Sequence, residues 1–254
     1  MDRRMRERRS SVKRQRGRRR GTLLIVGLAM LAVAGLFVWL RSSEVFAVKR
    51  ITYTTVQHLT NEDISRATAG VRGTNLLRLS TGEIEERLAE FPYVRSVEIH
   101  RRFPETLDIS LVEYEPVARI QGKDGGVWLV AIDGRVLEKR SVAGLPLVVP
   151  VGRVNPVPGE TLPGAIVRAL PVAELLANKE IAASLPAFDQ IRVSADGEVM
   201  VEFDSGTELR LGRPTELKQK LTVAATIIER CLRDGKQLDY LDASTPDRVA
   251  VNQK

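Results

Sequence analysis

Cysteine and histidine are nearly absent from this chain of 254 residues. The single cysteine, Cys231, cannot form an intramolecular disulfide, so the fold must be held by its own core or by other proteins. The two histidines, His58 and His100, are far apart in the sequence, and no cysteine joins them at a spacing typical of zinc ligands. The sequence therefore predicts no metal site and no cofactor.

Motifs of catalysis are also missing. The chain contains no G-x-S-x-G nucleophile elbow, no H-E-x-x-H helix and no P-loop. His58 lies in a polar loop and His100 on the outward register of a predicted strand, so both are expected to face solvent. Glu113 and Glu115 share one side of a strand, and we expect an exposed polar register that Pro116 closes. We predict no catalytic residue and a protein that is not an enzyme.

Aromatic residues are scarce as well, at 5% of the chain, and residues 1–20 contain none. This arm holds eleven of the 39 Lys and Arg residues and two of the 32 acids, which leaves 28 basic and 30 acidic residues elsewhere. The net charge of +7 therefore comes from the arm. A cationic arm without rings to stack on bases suits membrane orientation and anionic lipid better than specific nucleic-acid binding, which we do not expect.

A long hydrophobic run follows the arm. Residues 21–40 read GTLLIVGLAMLAVAGLFVWL, twenty positions without a charge. At about 1.5 Å per residue the run spans roughly 30 Å, the thickness of the bilayer interior. A core helix normally keeps a polar stripe, and a cleavable signal normally has a shorter apolar region and an A-x-A site, which Arg41-Ser42-Ser43 does not supply. We predict one uncleaved transmembrane helix at 21–40, with the arm cytoplasmic and the body extracytoplasmic.

The segment 46–118 has the pattern of a small α/β domain. Alternating apolar residues predict strands near 48–55, 96–100 and 107–111. Capping signals at Thr60 and Ser80 open two short helices between the first and second strands, and Pro92 ends the second helix. This order of elements resembles a POTRA domain.

The resemblance extends to the residues. The stretch FPYVRSVEIHRRFPETLDISLVEYEPVA, residues 91–118, is similar to the family stretch in which an Arg-aromatic-Pro turn joins two strands that end in Glu-x-x-Pro-x-Ala. POTRA domains recruit other polypeptides through a sheet edge, so the resemblance implies a recruitment surface here. Its candidates are Tyr93, Arg95 and Arg102, of which Arg102 also fits a structural turn.

The segment 119–254 predicts a mostly antiparallel β domain with a packed C-terminal helix. Residues 127–137 read as two strands around an Asp-Gly turn, and three alternating strands near 191–211 are separated by two further turns. An amphipathic helix begins near Pro214 and places Cys231 on its apolar face. A second helical region, 163–179, is interrupted by Pro171.

Taken together, arm, anchor, POTRA-like domain and C-terminal β domain resemble the bacterial FtsQ or DivIB division proteins. The resemblance implies an α+β fold and a noncatalytic scaffold of the divisome. Its implied partners are membrane-anchored division proteins of the FtsB or DivIC type, with FtsL, upstream of septal cell-wall synthesis. It also implies a location in the inner membrane at the division septum.

The C-terminal stretch is similar to the family's terminal strand with its Tyr-aliphatic-Asp core. We predict that partners bind it by strand addition at an open edge. The predicted partner-binding residues are Leu238, Asp239, Tyr240, Leu241, Asp242 and Ala243. Tyr240 is the expected anchor, because its ring buries apolar area while its hydroxyl can find a polar partner. The alternative is that the strand only completes the sheet, and residues 244–251 are able to form a return strand.

Two other functions fit parts of the pattern. An outer-membrane assembly or secretion factor also carries POTRA domains, but it would normally add a lipid-facing barrel, whereas about 135 residues with an amphipathic helix follow Ala118. An anchored peptidoglycan enzyme is less compatible still, because the catalytic groups are missing.

Overall fold

The computed structural model describes residues 25–178 and 185–253. The predicted basic arm, 1–20, and the first four positions of the predicted span lie outside the described residues. Helix α1, Ile25–Ser42, carries the rest of the apolar run and ends two residues beyond the predicted span. Its apolar side chains are exposed along the whole helix, with Leu28 at 70% and Trp39 at 61%. This exposure excludes the alternative of a buried core helix.

The chain folds into two compact units, each built from several segments. Of the described residues, the first unit holds those up to Thr55 together with Asn61–Glu85 and Glu98–Ser110. The second unit holds Val56–Thr60, Glu86–Val97 and the described residues from Leu111 onward.

A three-stranded sheet and two helices form the body that follows α1. The elements are β1 (Arg50–Tyr53), α2 (Asn61–Ala67), α3 (Thr81–Ala89), β2 (Val94–Arg102) and β3 (Thr106–Glu113). The sheet order is β1-β3-β2, with β1 parallel to β3. In the first unit Ile64, Leu107 and Ile109 are buried, and the alternation of Leu107 and Ile109 had predicted their burial. Strand β1 is shorter than predicted because the amide of Val48 bonds instead to the carbonyl of Thr74.

The end of α1 is tied directly to the first unit. A short 3-10 helix, Glu44–Phe46, follows α1. The side-chain amide of Asn75 donates to the carbonyl oxygens of Leu40 at 3.2 Å and Ser43 at 3.0 Å. The amide of Leu76 also donates to the carbonyl of Phe46 at 2.8 Å. The loop between α2 and α3 is therefore hydrogen-bonded to the C-terminal end of α1 and to the residues that follow it.

A mixed eight-stranded sheet is the centre of the second unit. Its elements are β4 (Pro116–Gln121), β5 (Val127–Ala131), β6 (Leu147–Pro150), α4 (Gly164–Ala177), β7 (Phe188–Val193), β8 (Val199–Phe203), β9 (Glu208–Gly212), α5 (Leu217–Arg233), β10 (Leu238–Asp242) and β11 (Ala250–Gln253). The strand order is β11-β10-β9-β8-β7-β6-β4-β5. Four of the seven neighbouring pairs are antiparallel, and three are parallel.

Both helices of the second unit cover the same face of the sheet. Helix α4 packs against β4, β6 and β7, and α5 packs against β9 and β10. The inward side chains of the strands are fully buried in one hydrophobic core, among them Ile120, Ile191 and Leu241. Cys231 is buried in this core too, as its place on the apolar face of the helix predicted. The α+β fold class is thereby confirmed.

Two prolines behave differently from the prediction. Helix α4 continues through Pro171, although proline removes one helical hydrogen bond. Its buried face, which includes Leu170, Val172 and Leu176, packs on the sheet and holds the helix together. Helix α5 begins at Leu217, three residues after Pro214, because Glu216 has a left-handed φ of 53° that no right-handed helix accommodates.

The prediction for Pro116 was wrong. This residue does not close the strand of Glu113 but begins β4, which lies between β5 and β6. A proline is compatible with the first position of a strand, where its missing N–H leaves the rest of the ladder intact.

Candidate partner-binding edge

The C-terminal strands form one end of the eight-stranded sheet. Strand β10 lies parallel to β9, with Tyr240 opposite Glu208 and Leu241 opposite Leu209. Its other side pairs antiparallel with β11, where Tyr240 lies opposite Asn252. The residues after Ala243 thus form the return strand that the sequence left open. The edge of the sheet is β11, and β10 is covered on both sides.

The structure divides the six predicted binding residues into two sets. Leu238, Leu241 and Ala243 are buried and belong to the hydrophobic core. The side chains of Leu238 and Ala243, predicted to contribute contacts to a partner, thus lie inside the domain and not on its surface. Asp239, Tyr240 and Asp242 are only half-buried.

The ring of Tyr240 is held from one side by a cation. The guanidinium carbon of Arg210 lies 4.4 Å from the centre of the Tyr240 ring, a cation–π distance. Arg210 also forms an ion pair with Glu208 at 3.2 Å. Tyr240 is thus fixed in place while part of its ring remains accessible.

The two aspartates of β10 have different roles. Asp239 accepts a hydrogen bond from the side-chain amide of Asn252 at 3.2 Å, which links β10 to the edge strand. Asp242 accepts from the amide of Ser244 at 2.9 Å. The Ser244 hydroxyl and amide, with Arg210 and Lys220 nearby, hold the pKa of Asp242 below its ordinary value against the effect of burial. Asp242 is therefore a carboxylate at neutral pH.

A groove of about 540 Å³ lies beside this strand on the second unit. Arg192, Arg210 and Asp242 line it, together with Met200 and Ser244. Arg192, Met200, Arg210 and Asp242 are neighbours on successive strands β7 to β10. The alternation that predicted these strands also indicates this outward row, but their charges are set side by side only by the register of the sheet.

Sequence reasoning missed Lys220. This lysine is 2% exposed, and its ammonium donates to the carbonyl oxygens of Leu211 and Arg213, both at 2.8 Å. Burial lowers the pKa of Lys220. Its position between Leu217 and Leu221 on the apolar face of α5 was the available signal.

Tyr93, one of the candidates for the recruitment surface, is buried. Tyr93 is 7% exposed, stacks on His58 with ring centres 3.9 Å apart, and donates its hydroxyl to Glu138 at 2.9 Å. Burial and this hydrogen bond raise the pKa of Tyr93 far above its ordinary value. Arg95 remains exposed, and Arg102 pairs with Asp108 at 2.6 Å on the neighbouring strand, in agreement with its structural role.

His58 is exposed, as predicted, whereas Glu113 is half-buried and hydrogen-bonded, contrary to the predicted exposed register. Glu113 accepts hydrogen bonds from the amides of Gln57 at 2.8 Å and His58 at 2.9 Å, and the His58 ring lies 3.4 Å from the same carboxylate. Burial alone would raise the pKa of Glu113, but these bonds outweigh it and lower the pKa. His100 is exposed beside Glu98, as its register predicted.

Within residues 25–178 and 185–253, no group of three or more His, Cys, Asp or Glu side chains is placed to hold a metal ion. Strands β9, β10 and β11 bring together an edge strand, a tyrosine held by a cation and neighbouring charged side chains.

Comparisons with known proteins agree with the fold. A family model described as "POTRA domain, FtsQ-type" matches residues 46–114. Another, described as "Cell division protein FtsQ/DivIB, C-terminal", matches residues 118–244, half of the chain. This second match favours a division protein over an outer-membrane assembly factor.

Several curated proteins are similar over most of the chain. The cell division protein FtsQ of Anaeromyxobacter sp. strain K is 28% identical over 239 residues, which cover 89% of this chain and 79% of the relative. FtsQ of Neisseria meningitidis serogroup B is 28% identical over 237 residues, covering 90% and 91%. DivIB of Bacillus anthracis is 24% identical over 128 residues, covering 50% and 48%. Together with the exposed apolar helix α1, these matches show that the chain is a single-pass membrane protein belonging to the FtsQ/DivIB family of cell division proteins.

Proposed function

We propose that this protein is a noncatalytic, bitopic scaffold of the bacterial divisome. Residues 1–20 lie in the cytoplasm, and the domains 46–118 and 119–254 lie outside the inner membrane at the division septum. The C-terminal domain binds membrane-anchored division proteins of the FtsB or DivIC and FtsL type and links them to septal cell-wall synthesis. The scaffold uses no cofactor and acts by binding alone.

One observation carries this proposal: the eight-stranded sheet ends in β11, which pairs with β10 on one side only. The free side of an edge strand presents backbone N–H and C=O groups that accept another strand. A partner segment adds to β11 as a ninth strand. Its backbone supplies hydrogen bonds, and its alternate side chains set the register.

The six residues 238–243 belong to β10 and its end, the strand next to the edge strand β11. Leu238, Leu241 and Ala243 anchor β10 in the core, so that β11 has a firm neighbour. Tyr240 lies opposite Asn252 of the edge strand, and its exposed ring meets side chains of the added strand. Asp239 and Asp242 complement basic residues of the partner.

Photo-crosslinking in intact cells tests where the partner binds. A crosslinking amino acid at Asn252 or Tyr240 is expected to capture a small membrane-anchored division protein. The matched control is Val127 on β5, the strand at the opposite edge of the same sheet, and it should capture none. Equal capture from Val127 would contradict the assignment of the edge.

A pair of substitutions tests the tyrosine. Tyr240→Asp removes the ring and adds a charge, whereas Tyr240→Phe keeps the ring. We expect loss of co-purification with the partner for the first variant and little change for the second, with both variants folded by circular dichroism. Undiminished partner binding by folded Tyr240→Asp would count against this surface.

The domain 46–118 serves recruitment by an upstream division factor. Arg95 and Arg102 are exposed there, so they are the residues that remain of the predicted surface. Deletion of 46–118 should abolish septal localisation of a fluorescent fusion while the membrane fraction retains the protein. Normal septal localisation of the deletion variant would overturn this role.

A further inference from the structure

Exposed apolar side chains surround the point where α1 joins the first unit. Val45 is 58% exposed and Phe103 is 55% exposed. Phe46 packs edge-on against Phe103, with ring centres 5.9 Å apart. The turn between β2 and β3 therefore lies beside the residues that directly follow α1. We call Val45, Phe46, Phe103, Arg78 and Arg101 the anchor-proximal patch.

The charge of this region is positive. The amide of Arg78 bonds to the carbonyl of Asn75 at 2.9 Å, which places Arg78 in the turn that holds the end of α1. The guanidinium of Arg101 donates to the carbonyl of Leu79 at 2.9 Å and remains exposed. Lys49 and Arg50 share the single carboxylate of Glu105 nearby.

The height of the patch above the bilayer follows from α1. Trp39, 61% exposed near the end of the helix, is a residue typical of the membrane–water interface. From Trp39 to Ser42 the helix rises about 4.5 Å, and the headgroup layer is about 5–7 Å thick on each side of the hydrocarbon. The hydrogen bonds of Asn75 to Leu40 and Ser43 leave no free linker between helix and body. The patch therefore lies at the level of the headgroups.

We propose that the anchor-proximal patch rests on the membrane surface. Val45 and Phe103 enter the headgroup layer, and Arg78 and Arg101 bind the phosphates of anionic lipids. Apolar side chains beside cations are the combination that binds anionic interfaces. A bilayer is the occupant because the patch continues directly from the membrane-spanning helix. The patch belongs to the first unit and the partner-binding edge to the second, so the two proposals are tested independently.

Accessibility of a spin label tests the apolar part. The full chain carries Cys231→Ser and one new cysteine, Phe103→Cys, and is reconstituted in vesicles of phosphatidylethanolamine and phosphatidylglycerol. Tyr53→Cys is the matched control, because Tyr53 lies at the far end of β1, about 10 Å beyond Arg50. We expect the ratio of oxygen to nickel-chelate relaxation to be several-fold higher at position 103 than at position 53. Equal ratios at 103 and 53, repeated with Val45→Cys, would overturn the proposal.

A charge substitution tests the cationic part. In the Phe103→Cys background, Arg78→Gln should lower the oxygen-to-chelate ratio in these anionic vesicles. Arg72→Gln is the control, since Arg72 is an exposed cation that lines a groove with Tyr53 and Asn61. The ratio at position 103 in the chain that keeps Arg78 should also fall in vesicles of phosphatidylcholine alone. Ratios unaffected by Arg78→Gln and by the lipid change would refute binding to lipid phosphates.

Discussion

The buried ammonium group of Lys220 donates a hydrogen bond to the backbone carbonyl of Leu211 at 2.8 Å. A second bond joins it to Arg213 at 2.8 Å. The lysine thereby connects α5 to the end of β9, next to the strand that carries Tyr240. It satisfies the carbonyl of Leu211 at the end of β9 and that of Arg213 in the turn before α5, where Glu216 has a left-handed φ.

Replacing Lys220 with methionine keeps the packing but leaves these carbonyls without a donor. We expect the free energy of unfolding to fall by about 2 kcal/mol, because buried polar groups without partners are destabilising. Lys218→Met is the control, since Lys218 is exposed on the same helix, and its effect should stay within about 0.5 kcal/mol. Urea unfolding of the full chain in detergent measures both. Equal effects of the two variants would contradict the structural role of Lys220.

Gly134 forms the tight turn after β5, with φ at 87°. A Cβ atom at this position would collide with Cγ2 of Val167 on α4. Gly134→Ala should lower stability by about 2 kcal/mol or more, from backbone strain plus this collision. Gly144→Ala isolates the strain, because Gly144 has a φ of 88° and open space around it, and it should lose about 1 kcal/mol. Thermal unfolding compares the two, and a second change, Val167→Ala, should recover part of the Gly134→Ala loss.

The lowered pKa of Glu113 predicts that the stability of the fold depends on pH. Its folded pKa lies below the ordinary value of 4.5, so the carboxylate stabilises the fold above pH 4.5, and this contribution disappears as the pH falls through the lower folded pKa. At neutral pH Glu113→Gln should be less stable than wild type by about 1 kcal/mol, and the difference should narrow below pH 4.5. Urea unfolding at pH 7 and pH 3.5 measures it. Glu115→Gln, at an exposed neighbour, is the control and should change stability at neutral pH by less than about 0.5 kcal/mol. A difference for Glu113→Gln that stays constant with pH would contradict the assignment.

The hydrogen bond from Asn252 to Asp239 connects the edge strand β11 to β10. The side-chain nitrogen of Asn252 lies 3.2 Å from Oδ2 of Asp239. Asn252→Asp replaces this nitrogen with a carboxylate oxygen, and like charges on neighbouring strands repel. We expect β11 to loosen and affinity for the proposed division partner to fall by about tenfold, which corresponds to about 1.4 kcal/mol. Asn252→Ser removes the bond without repulsion and should have a smaller effect. Surface plasmon resonance with the purified partner measures both affinities, and unchanged binding by Asn252→Asp would argue that β11 is not the docking strand.

Regular patterns in the sequence predicted most of the fold. The apolar alternation at Val199, Val201 and Phe203 gave β8, and the spacing of Leu221, Ala224 and Ile228 gave the buried face of α5, because both patterns repeat with the period of the element. The residues before β11 carry no such alternation. Whether β10 was an edge therefore depended on a pairing between strands, which periodicity does not encode.

The site was predicted less completely for a similar reason. Tyr240 was identified from its resemblance to a family motif, but the position of Arg210 over its ring depends on the parallel register of β9 and β10. Tyr93 was a candidate for the recruitment surface implied by the POTRA resemblance, but contacts with His58 and Glu138 hold it in the interior. Contacts between residues distant in the sequence decided both outcomes.

The side-chain amide of Asn75 donates hydrogen bonds to the carbonyl oxygens of Leu40 and Ser43 at the C-terminal end of α1. These two hydrogen bonds restrain rotation at the joint, so we expect a tilt of the helix to turn the body of the first unit with it.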